Sequence, residues 1–116
     1  IQEDIKPIIQ TTINHFPTLH IIINNPPFQN SIPTHQISIH HSQKLIHINL
    51  TPPFVPSTQP INQFLNQNKK PTIINISTLH HTIPCPNYLH YPPSKGALKL
   101  IMETMSIEYA QYRIRI

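Results

Sequence analysis

Apolar residues fall at helical spacing in Ile5, Ile8, Ile9, Ile13 and Phe16, which predicts an amphipathic helix over roughly residues 2–16. Pro7 sits near its start, where a missing N–H is least harmful. Leu19 to Ile23 is a short β-branched run and reads as a buried parallel strand, closed by the turn residues Asn24-Asn25-Pro26-Pro27. Residues 28–41 are polar and irregular. A second helical pattern begins at Leu45, Ile46, Ile48, Asn49 and Leu50, but Pro52, Pro53, Pro56 and Pro60 threaten to break it, at roughly 3 kcal/mol for each interior proline. Ile61, Phe64 and Leu65 resume helical spacing before a loop over 66–71. Thr72–Ile76 is the second clear strand, and 82–90 is a proline-rich loop.

Ser94 to about Tyr112 is the best helix, with Leu98, Ile101, Met102, Met105 and Tyr109 as its apolar stripe. Arg113–Ile116 has the makings of a third strand. About three helices alternating with three strands is the α/β pattern of a doubly wound parallel sheet. At 116 residues the chain is one domain at most, without repeats or linkers.

Composition narrows the function classes. The net charge of +4 reflects scarce acids, since Lys and Arg together number only eight. No basic stripe is interleaved with aromatics, so nucleic acid is not an expected partner. No apolar run approaches the ~18 residues of a membrane span, and no leader pattern is present. Cys85 is the single cysteine, so no internal disulfide can form; a cytoplasmic setting is the expectation. Nine histidines include the pairs His40-His41 and His80-His81, yet neighbours on a strand face opposite ways. No Cys-x-x-Cys or His-Glu-x-x-His spacing accompanies them, and no metal is expected.

One depletion is general. Val, Ala, Asp, Glu and Gly, the residues whose codons begin with G, number eight in all, where about a third of residues is ordinary. Pro, Ile, Asn, His, Gln and Thr take their places. Such uniform bias points to mutation or artefact rather than to tuning for function.

The candidate chemistry lies late in the chain. Tyr91 and Lys95 are four residues apart, so on a helix they share a face. Thr78, thirteen residues before Tyr91, follows the second strand and brings a hydroxyl to the same end. A phenol, an ammonium and a hydroxyl together suit proton transfer to a substrate oxygen during hydride transfer. From spacing alone, a half-buried tyrosine and a solvent-facing lysine remain the competing reading.

Asn24-Asn25, Asn49, Ile74-Asn75-Ile76-Ser77-Thr78 and Tyr91-x-x-x-Lys95, in this order and spacing, resemble the central part of a short-chain dehydrogenase/reductase, closest to the glucose 1-dehydrogenase group. Thr78-Leu79-His80, Ile83-Pro84-Cys85-Pro86, His90-Tyr91 and Lys95-Gly96 through Ile114-Arg115 extend the likeness along the whole chain. The resemblance implies a partial Rossmann-like domain over 1–116, an NAD or NADP cofactor, and a small alcohol or sugar substrate. It implies Tyr91 as acid and base, with an adjacent cation favouring its phenolate. Lys95 and Tyr91 would also hold the nicotinamide ribose. Thr78 stands where the family has serine and would bind the substrate oxygen; His80 would line the substrate pocket. Asn49 would hold a relay water behind Lys95, and Asn24 and Asn25 would brace the sheet beside the adenosine ribose. Pro26 and Pro27 depart from the family turn, and Pro92 and Pro93 fall between the catalytic pair.

A glycine-rich phosphate turn is missing from the sequence, which holds only Gly96, so a fragment of a longer fold is expected. Two outcomes stay open: an oxidoreductase, or an inactive folding or dimerisation unit. In the second, homo-oligomers would form through the helices carrying Asn49 and Met102, with Met102, Met105 and Tyr109 seeking a partner helix.

Overall fold

The computed structural model describes residues 2–25, 29–67 and 69–116, with side chains from Ile5 onward. Pro26 and Pro27, expected to reshape the turn after the first strand, lie outside the described residues. Helix α1 (Gln2–His15) leads into strand β1 (Ile21–Asn24), then α2 (Ile39–Thr58), α3 (Ile61–Asn66), β2 (Thr72–Asn75) and α4 (Tyr91–Tyr109). Short 3-10 turns stand at Thr34–Gln36, Leu79–His81 and Ala110–Tyr112.

β1 and β2 are parallel, with Ile21 opposite Thr72 and Asn24 opposite Asn75. The expected third strand is a single parallel bridge between Thr72 and Arg115, in which the Ile73 N–H donates to the Arg115 carbonyl at 2.8 Å. Arg113, at φ 60°, makes the left-handed turn that carries the chain from the end of α4 to that bridge. Glycine is the usual residue there, because a Cβ crowds the following carbonyl.

The sheet is covered on one face. Ile22 and Ile73 point toward the helices, and Ile73 joins Ile61, Phe64, Met105 and Ile114 in the core. Ile21, Ile23 and Ile74 on the opposite face are exposed. The expectation of a fully buried β1 is therefore corrected: burial on both faces needs a second helical layer, and the three long helices supply one. The shortest dimension, 16 Å, is that of two layers. A radius of gyration of 15.9 Å also exceeds the ~13 Å of a compact domain of this length.

Two helix boundaries differ from expectation. α2 starts at Ile39, within the stretch expected to be irregular, because the Ser38 hydroxyl accepts the His41 N–H at 3.1 Å and caps it. It then runs through Pro52, Pro53 and Pro56 without ending. α4 starts at Tyr91 rather than Ser94, with the prolines inside its first turn.

Candidate active site

Beyond β2 the backbone is extended at Thr78, whose hydroxyl accepts the His80 N–H at 3.4 Å and starts the turn Leu79–His81. The His81 imidazole rests against the Thr78 carbonyl. The Thr78 oxygen is thus held in place at the C-terminal end of the sheet, while its own proton stays free to donate.

The loop returns at the start of α4, where the Tyr91 N–H donates to the Tyr88 carbonyl at 3.0 Å. Pro92 and Pro93 occupy first-turn positions whose N–H groups have no intrahelical acceptor, so neither removes a helix bond. One turn on, the Lys95 Nζ lies 5.9 Å from the centre of the Tyr91 ring. It donates to the carbonyl of Ile76 at 3.1 Å, just past β2. Lys95 is 1% exposed, and burial lowers its pKa from the ordinary lysine range. Two of its three N–H bonds remain for other acceptors. Tyr91 and Lys95 therefore sit together at the end of β2, where Lys95 holds the carbonyl two residues before Thr78, and the solvent-facing reading of Lys95 is excluded.

Asn49 lies on α2, which packs against α4, and is fully buried. Neither its amide nitrogen nor its oxygen has a partner among the described residues. An amide left so costs about 1–3 kcal/mol. Asn24 has a different task. Its amide donates to Asn75 Oδ1 at 2.9 Å and to Ser57 Oγ at 3.2 Å, tying β1, β2 and α2 together. Asn25 is exposed.

His80 is half-buried, with Nδ1 3.2 Å from the Ile83 carbonyl, and its ring stacks on Tyr88. Two residues at this corner were given no role by the sequence reading. His90, directly before Tyr91, is 2% exposed and packs edge-on against His41 at 5.9 Å. Burial, reinforced by His41, lowers its pKa. Tyr88 meets the Tyr91 ring edge-on. Adjacency to Tyr91 was the available signal for both, but nothing in the pattern announced burial. Among the described residues no three His, Cys, Asp or Glu side chains form a metal-holding group, and no helix is long and apolar enough to cross a membrane.

Comparison with known proteins gives the family and the fold. Glucose 1-dehydrogenase 2 of Bacillus subtilis (strain 168) is 33% identical over 117 residues, covering 99% of this chain and 45% of that protein. A 3beta-hydroxysteroid dehydrogenase of Eggerthella lenta is 30% identical over 114 residues, covering 98% and 44%. The chain thus spans less than half the length of these relatives. Among solved structures, a 4-hydroxyisoleucine dehydrogenase complexed with NADH superposes with a TM-score of 0.89 at 24% identity, covering all of this chain and 51% of that one. A short chain dehydrogenase from Bacillus anthracis reaches 0.92 at 23% identity, covering all of this chain and 48% of the other. These two likenesses establish the Rossmann fold. The sequence pattern describing the short chain dehydrogenase family matches residues 1–116 from end to end, and the chain belongs to that family.

Proposed function

We propose that residues 1–116 form a partial Rossmann-like domain carrying the acid–base centre of an oxidoreductase that uses NAD or NADP on a secondary alcohol or sugar. The observation that carries this reading is the buried Lys95 ammonium, fixed to the end of β2 one helical turn from Tyr91. Tyr91 takes the hydroxyl proton in oxidation and returns it in reduction. Thr78 donates its free hydroxyl proton to the same substrate oxygen. Asn49 offers its unpartnered amide to a water, which passes protons toward Lys95.

The residues present fit the nicotinamide end of a dinucleotide. Lys95 has N–H bonds to spare for ribose hydroxyls, and Tyr91 lies beside it. When bound, a nicotinamide supplies the hydride acceptor or donor. The phosphate cradle is not drawn from this sequence, whose one glycine, Gly96, lies inside α4. Asn25 is exposed at the end of β1, where the adenosine ribose would lie. The free thiol of Cys85 accords with a reducing, cytoplasmic setting. Alcohol-dependent reduction of NAD or NADP, followed by nicotinamide absorbance, should fall by about 10²–10⁴ in Tyr91→Phe. Equal rates in the two proteins would end the proposal.

A second reading, a helix-pairing unit, has its own observation. Phe54 on α2 and Leu100 on α4 border a groove of about 420 Å³, and Ile107 is 81% exposed. The residues first expected to seek a partner do not all face outward: Met105 is in the core, and Met102 Sδ accepts from the Asn75 amide. Monomeric sedimentation at high concentration would remove this reading.

A further inference from the structure

Two loops at the start of β2 bring three cations together, at the end of the strand opposite Lys95. Lys69 and Lys70 come just before Pro71 and β2, and Arg113 follows the 3-10 turn that closes α4. The Arg115 N–H donates to the Pro71 carbonyl at 3.0 Å, and the Ile73 N–H to the Arg115 carbonyl at 2.8 Å. These bonds clamp one loop to the other. Arg113 is itself fixed by its left-handed backbone, φ 60°, and by its N–H on the Ala110 carbonyl at 2.9 Å. The backbone from Thr72 to Ile76 rises about 13 Å, which separates this corner from the carbonyl that holds Lys95.

All three cations line a cleft of about 290 Å³, with Phe64 and Leu65 as its apolar side. Tyr112 also lines it; its ring is half-exposed and rests against Tyr109, with centres 6.3 Å apart. Among the described residues no carboxylate reaches the cleft. Glu103 pairs with Lys99 at 3.6 Å, and Glu108 borders the groove between α2 and α4. Cations after a helix have an ordinary use, which is to offset the helix dipole, and both α3 and α4 end here. Each helix end carries roughly half a negative charge. Two such ends leave about two of the three positive charges uncompensated. Positive charge gathered in a concave site concentrates anions.

We propose that this cleft binds a small phosphomonoester whose organic group is aromatic. Lys69 and Lys70 meet the phosphate oxygens as point charges, and the Arg113 guanidinium meets them with a two-pronged N–H fork. The Tyr112 ring gives the organic group a face to stack on. The volume is near the ~300 Å³ lower end of ligand pockets, room for one ring beside the phosphate. Nothing in this site depends on Tyr91 or Lys95. Ligands of open parallel sheets lie beyond the carboxyl ends of the strands, and this cleft is at the amino end of β2.

The test is a proton NMR titration of the chain with phenyl phosphate, inorganic phosphate and phenol, following the Tyr112 ring signals. Phenyl phosphate should give saturable shifts, inorganic phosphate should bind about tenfold more weakly, and phenol should give none at the same concentration. Arg113→Gly suits the left-handed backbone and keeps the turn, yet should weaken phenyl phosphate about tenfold. Lys70→Gln, on an exposed loop residue, should weaken it about fivefold. Lys99→Gln removes the same charge elsewhere and should change it by less than about twofold. Circular dichroism confirms that each variant folds. No saturation with phenyl phosphate, unchanged affinity in both Arg113→Gly and Lys70→Gln, or an equal loss in Lys99→Gln would overturn the proposal. Inorganic phosphate binding as tightly as phenyl phosphate would refute the aromatic requirement.

Discussion

Helices α2 and α4 pack against each other beside the site, and each contains a cluster of prolines, with opposite consequences. In α4, Pro92 and Pro93 lie in the first turn, where N–H groups have no helical acceptor and a preset φ is an advantage. In α2, Pro52, Pro53 and Pro56 lie deep in a 20-residue helix. There they deprive the carbonyls of Ile48, Asn49 and Pro52 of their i+4 donors. Asn49 is thus short of partners at both backbone carbonyl and side chain. The helix carrying Tyr91 and Lys95 keeps its hydrogen bonds, while the helix behind it loses several. The same residue type is harmless or costly according to its distance from a helix start.

The largest effect should come from relieving α2. Pro52→Ala or Pro56→Ala should raise the unfolding free energy by about 3 kcal/mol in urea denaturation, whereas Pro92→Ala in α4 should change it by less than about 1 kcal/mol. Equal gains at both places would dissolve the contrast. Next, Gly96→Ala should stabilise α4 by about 1 kcal/mol, because a Cβ at Gly96 meets nothing within 4 Å. A loss there would mean that the turn holding Lys95 needs space the structure does not show.

Two smaller effects are read as pH slopes. His90 has a lowered pKa in the folded chain, so the unfolded chain binds its proton more readily. Its stabilising contribution is present above the ordinary value of 6.5 and is lost as pH falls from there toward the lowered value. Thermal melts of His90→Phe should show a flatter acid slope. Lys95, also lowered, adds stability as pH rises from its folded value toward 10.5, the ordinary value. Lys95→Met should remove that alkaline rise, and an unchanged slope would contradict burial of the ammonium.

The alternation of elements was legible because apolar spacing and β-branched runs are local signals. The pairing of Tyr91 and Lys95 was legible because a separation of four residues puts two side chains on one helical face. The breadth of α2 was not: its prolines argue against a helix locally, and packing against α4 and β1 overrides them. Burial of His90 was hidden for a related reason. An imidazole next to Tyr91 reads as a loop residue until His41, nearly fifty positions earlier in the chain, is folded against it. The exposure of Ile21 and Ile23 escaped notice because a run of isoleucines cannot state how many helical layers will cover it.

Residue order alone determined the alternating α/β pattern and the helical face shared by Tyr91 and Lys95, since both follow from a repeat of a few residues along the backbone. Tertiary structure decided that Lys95 is withdrawn from water onto the Ile76 carbonyl, that Asn49 is enclosed without a partner, and that Tyr88 bridges His80 and Tyr91. Desolvation and ring contact arise between segments that only packing brings together.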